Sequence, residues 1–99
     1  MIKVEFKYVD QKFTYLKVKG HANSAEYGHD LICAGVSSIV TGALNNIDAK
    51  NYDIEIKEGL VIVQTKNEIT THDEIVFETM YTQLKTIEES YPSNIKIIK

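Results

Sequence analysis

The sequence contains no arginine and no tryptophan, one proline and one cysteine. Each shortage closes off a class of function. Without arginine there is no guanidinium fork to grip a phosphate or a guanine edge with two bonds. The eleven basic residues are all lysines, spread along a chain whose net charge is −3. A nucleic-acid binder of this size usually shows a basic face, so direct nucleic-acid binding is not expected. A lone cysteine, Cys33, cannot build a disulfide framework. Long apolar runs are also missing: none approaches the roughly 18 residues of a membrane span. The opening MIKVEFKYVD alternates charged and apolar residues, unlike a secretory leader. The expectation is a cytoplasmic protein that does not bind membranes.

What is present suits one small domain over residues 1–99. Its 43% hydrophobic content can fill a single two-layer core. IKVEFKY alternates, with Ile2, Val4, Phe6 and Tyr8 on one side and Lys3, Glu5 and Lys7 on the other, which predicts a half-buried strand. VDQK is a turn, and FTYLKVKG is a second strand that closes a hairpin and ends at Gly20. Residues 21–29 have no period and read as a loop between Gly20 and Gly28. From Asp30 the spacing becomes helical, through Ile32, Val36, Ile39, Val40, Ala43 and Ile47, with Asp30 as N-cap and an end near Asp48.

YDIEIKEGLVIVQTK predicts a second hairpin turning at Glu58-Gly59. Thr71 and Glu74 form a T-x-x-E capping box for a second helix. That helix carries the stripe Ile75, Val76, Met80, Leu84 and Ile87, and Pro92 stops it. NIKIIK is a short last strand. The order ββαββαβ predicts an α+β fold: a two-layer sandwich with a mainly antiparallel sheet and two helices on one face. The far face should then be polar or buried in a dimer.

Function is concentrated in GHANSAEYGHDLICAGVSS, which begins at Gly20 and holds two of the three histidines and the cysteine. A single cysteine is often just a small buried hydrophobe. With Asp30 as N-cap, however, Cys33 falls in the first helical turn, where free N–H groups and the macrodipole favour a thiolate. The Asp30 carboxylate opposes this unless its charge is engaged, and it could instead orient His21 as the third member of a triad does. His21, at a strand end, and Cys33, at a helix start, make a workable base and nucleophile. His21 could equally be a loop histidine bonded to backbone.

Other residues are weaker candidates. If the helix began early, His29 would share a face with Cys33 at i, i+4, which raises a zinc set of His21, His29, Cys33 and Asp30. Structural zinc sites are usually richer in cysteine with paired short spacings, so neither a metal nor a cofactor is expected. Ser37 lies one turn beyond Cys33 and could bond back to the helix or line a pocket. Ala34 and Gly35 are small enough for close approach to the helix. His72 reads as a surface residue.

The same stretch resembles the signature of the ribosomal-processing cysteine protease family, Prp. Gly20, His21, Ala22, Gly28, Asp30, Cys33, Ala34 and Ser37 stand at the family's spacing. The likeness extends over the element order and over the end of the second helix, LKTIEESYP. It implies a small α/β domain, usually a homodimer. It also implies removal of a short N-terminal extension from large-subunit ribosomal protein twenty-seven, after an aromatic-rich stretch. Cys33 would be the nucleophile and His21 the base, with Ala22 to His29 a mobile loop closing over the peptide. Gly20 and Gly28 would be its hinges, and Tyr27 part of an apolar cleft. Two other readings stay open: a non-catalytic ribosome-associated or assembly factor binding the same peptide, and a redox-sensing thiol, which would have to pair between chains.

Overall fold

The computed structural model describes residues 1–20 and 27–99, with residues 27–30 described by backbone alone. Strand β1 (Ile2–Val9) and strand β2 (Lys12–Lys19) form the first hairpin, turning at Asp10 and Gln11, both with positive φ. Helix α1 (Tyr27–Leu44) follows, then one 3-10 turn (Ala49–Asn51). Strands β3 (Tyr52–Lys57) and β4 (Leu60–Thr65) form the second hairpin around Glu58 and Gly59. Helix α2 (Thr71–Ser90) leads to strand β5 (Ile95–Ile98). The predicted order ββαββαβ is therefore observed.

The described strands lie in the order β3-β4-β2-β1-β5, with β1 and β5 parallel and the other neighbours antiparallel. The two-residue alternation of β1 buries Ile2, Val4 and Phe6 and leaves Lys3 and Lys7 in solvent. In register with them, β2 buries Phe13, Leu16 and Val18, and β4 buries Val63. Ile32, Val36 and Val40 of α1 and Phe77, Met80 and Leu84 of α2 complete one buried cluster. The Phe13 and Phe77 rings stack with centroids 3.7 Å apart. Fully burying a side chain of this kind is worth about 1.5–3 kcal/mol. Both helices thus cover one face of the sheet, and the other face is charged. No described helix is long and apolar enough to cross a membrane.

Four local expectations are corrected. Helix α1 begins at Tyr27 rather than Asp30, so Asp30 is inside the helix and is not its N-cap. The apolar period starts only at Ile32, which hid the first turn, and a helical glycine such as Gly28 costs only about 1 kcal/mol. The helix also ends at Leu44, before Ile47: the Asn46 N–H bonds the Ala43 carbonyl, a tightening of the chain beyond the last helical residue.

The cap of α2 is one residue earlier than read. Thr70 Oγ1, not Thr71, accepts an N–H, from Asp73 at 3.1 Å. TTHD and THDE both offer the cap pattern, and tertiary contact decides between them. Asp73 is 1% exposed and its Oδ2 accepts from the Tyr52 hydroxyl at 2.8 Å and the Asp48 N–H at 3.2 Å. Lastly, the stripe of α2 runs through Asp73, Phe77, Met80 and Leu84, while Ile75 is 56% exposed. Expected surface residue His72 is exposed, with Nε2 2.9 Å from the Asn46 carbonyl oxygen.

Candidate active site

Gly20 ends β2 with φ +107°, a conformation that residues with a Cβ rarely adopt. A Cβ here would sit 2.4 Å from the Met1 carbonyl oxygen. Its N–H donates to the Gly59 carbonyl at 3.0 Å. Gly20 is therefore pinned between the start of β1 and the β3–β4 turn, and this fixes where the chain leaves the sheet towards His21.

Beside Gly20 opens a groove of about 310 Å³ between α1 and the β2–β4–β3 side of the sheet. Cys33, Ser37 and Val40 line it from the helix, and Ile2, Val18, Ile56 and Leu60 from the strands. Cys33 and Ser37 are four residues apart and so share a helix face. The Cys33 thiol is half-buried and packs against the core cluster. Ser37 is exposed at the groove, one turn further on. Ile56 is 67% exposed on the edge strand β3, so the rim of the groove is apolar as well as its floor.

Three of the sequence candidates, Gly20, Cys33 and Ser37, thus meet at one groove. Ala34 is exposed on α1 and does not line it. Gly35 faces α2 instead, where an added Cβ would be 3.5 Å from Ile87 Cδ1, an ordinary contact. Tyr27, Gly28 and Asp30 lie in the first turn of α1, so Gly28 is a helical residue and not a loop boundary. Their side-chain surroundings, with those of His29, and all of His21 to Glu26, including Ala22, lie outside the described residues. Among the described residues, no group of three or more His, Cys, Asp or Glu is arranged to hold a metal ion.

The early helix start changes the chemistry expected at Cys33. Cys33 is now the seventh residue of α1, not a first-turn residue. The macrodipole effect fades beyond the first turn, and an N–H this far in is committed to the carbonyl four residues back. The helix start therefore lies too far away to supply a free N–H at Cys33. The same shift puts His29 one helical turn before Cys33. Groove walls Ile2, Val18, Ile56 and Leu60 escaped the sequence reading as site residues. Their apolar alternation marked them only as strand positions, and the register alone gathers them.

The family model for the cysteine protease Prp matches residues 1–96. The chain belongs to the Prp family. It is 35% identical over 103 residues to the ribosomal processing cysteine protease Prp of Staphylococcus aureus, covering 98% of this chain and 97% of that one. The Bacillus subtilis Prp is 30% identical over 102 residues, covering 89% and 87%. Among solved structures, S. aureus Prp with a covalently linked product peptide superposes with a TM-score of 0.87 at 32% identity, covering 99% of this chain and 98% of that one. The same Prp with a substrate peptide gives 0.81 at 31% identity, covering 98% and 97%. As a Prp family member the chain is a cysteine protease, and Cys33 is its only cysteine.

Proposed function

We propose that Cys33 is the nucleophile and His21 the general base of an endopeptidase. Its substrate would be the N-terminal extension of large-subunit ribosomal protein twenty-seven. The observation that carries this reading is the groove: the half-buried Cys33 and Gly20, the residue that precedes His21, line one mainly apolar channel.

His21 takes the Cys33 proton as sulfur attacks the scissile carbonyl. The tetrahedral intermediate collapses to a thioester, and the imidazolium returns the proton to the leaving amine. His21 then deprotonates a water that attacks the thioester. The acid product leaves and the thiol is restored. Oxyanion donors would come from N–H groups other than the helix-bonded one of Cys33. Asp30 would orient His21, Ala22 and Tyr27 would contact the peptide, and apolar peptide side chains would enter between Val40, Ile56 and Leu60. The names of the relatives support a ribosomal substrate and a peptide partner. A homodimer, if formed, would use a surface other than the open sheet face, whose lysines would repel their copies.

The test is cleavage of a peptide spanning that extension, read by mass spectrometry. The wild type should cut once, after the aromatic stretch. Cys33→Ala and His21→Ala should abolish the cut with circular dichroism unchanged, and His29→Ala should retain most of it. Loss in His29→Ala with retention in His21→Ala would reassign the base to the histidine one turn before Cys33. Peptide binding without cutting would favour the non-catalytic binding factor.

A further inference from the structure

The face of the sheet away from the helices carries a row that the sequence scatters. Lys3 of β1 is in register with Lys19 of β2 on one side and Lys96 of β5 on the other. All three side chains are exposed. Among the described residues, no carboxylate oxygen lies within 4.0 Å of any of their ammonium groups. Adjacent strands are about 4.8 Å apart, so three positive charges stand side by side over roughly 10 Å. Like charges directly opposite each other destabilise a sheet, and this chain accepts two such pairings although acidic residues outnumber basic ones, 14 to 11. Helix α2 is acidic, with Asp73, Glu74, Glu78, Glu88 and Glu89 against Lys85 alone, and Glu88, whose Oε2 accepts the Ile97 N–H, is the carboxylate that acts on Lys96.

We propose that Lys96, Lys3 and Lys19 form a docking strip for the phosphate backbone of RNA. A protein partner fits less well, because protein interfaces are depleted in lysine and built around aromatic and arginine anchors. Lysines are point charges that suit single, repeated phosphate charges without reading bases. The premise against nucleic acid, that the lysines are spread out, holds for the sequence and not for the sheet. The choice of RNA over DNA rests on the proposed ribosomal substrate. The strip lies at the sheet end from which Gly20 leads to His21, on the face opposite the groove. RNA seated there would hold a ribosomal substrate near the groove without blocking it.

The test is fluorescence anisotropy of a labelled RNA hairpin titrated with the whole protein. Three neutralised phosphates should weaken binding about 20–40-fold between about 50 and about 200 mM salt. Lys3→Gln with Lys19→Gln should weaken binding at low salt at least tenfold and lower the log–log salt slope by about 1.6. Lys12→Gln with Lys66→Gln, at the other end of the sheet, should change affinity less than twofold. Cleavage of the free peptide should be unaffected by either pair, so failure of the strip and failure of the protease reading are separate results. Absence of RNA binding, binding unchanged in Lys3→Gln with Lys19→Gln, or tighter binding of duplex DNA or polyglutamate would each overturn the proposal.

Discussion

Replacing Gly20 by alanine tests how the fold holds the residue that precedes His21, the proposed base. The added Cβ would lie 2.4 Å from the Met1 carbonyl oxygen, where ordinary contact begins at 3.4 Å, so the backbone must move by 1.0 Å (3.4 − 2.4). The obstacle is backbone, not the flexible end of a side chain. Alanine at φ +107° adds strain of about 1–3 kcal/mol, and the bond from the Gly20 N–H to the Gly59 carbonyl must lengthen or break. In a domain of this size a loss of about 2 kcal/mol lowers the melting temperature by roughly 8–16 °C. His21 is the next residue, and a misplacement of about 1 Å in a catalytic group can cost about 100-fold in rate. The assay is kcat/KM for the extension peptide, at a temperature where circular dichroism shows the variant folded, beside its thermal melt. Wild-type melting would refute the close packing of Gly20. A lowered melt with kcat/KM within about threefold of wild type would refute its role in positioning His21.

Two further predictions concern the buried hydrogen bond and the groove. Tyr52, 3% exposed, donates to Asp73, so Tyr52→Phe should cost about 1.5–3 kcal/mol in urea unfolding at neutral pH. Burial first, and then the Asp73 carboxylate, push the Tyr52 hydroxyl far above its usual 10.0. The folded value exceeds the unfolded one, so this stability is intact below pH 10 and falls above it by about 1.4 kcal/mol per pH unit. Tyr52→Phe should remove that contribution to the alkaline slope, and an unchanged slope would refute the buried bond. Ser37→Ala should leave stability within about 0.5 kcal/mol and slow cleavage less than Cys33→Ala does. Complete loss of cleavage in a folded Ser37→Ala variant would place the hydroxyl in the chemistry.

Several features were legible because they are local. The alternation of Ile2, Val4 and Phe6 has the period of a pleated strand, and Glu58-Gly59 is a turn by its own dihedral preference. Cys33 and Ser37 share a face because a helix repeats every 3.6 residues. The eight motif positions from Gly20 to Ser37 identified the family before any contact was known. The misreadings came where two local patterns competed. Thr70 and Thr71 could each cap α2, and Ile75 and Phe77 could each face inward. A buried bond from Tyr52 to Asp73 and a stack of Phe77 on Phe13 chose between them.

The sequence by itself determined the element order, the hairpins, the family and the thiol at the centre of the candidate site. Only the tertiary structure decided the strand order β3-β4-β2-β1-β5, the parallel pairing of β1 with β5, the groove drawn from four strands and a helix, and the lysine row. The physical reason is range. Turn preferences and side-chain periodicity act over a few residues and can be read along the chain. Which apolar faces meet, and therefore which distant residues become neighbours, depends on the burial of the whole core at once.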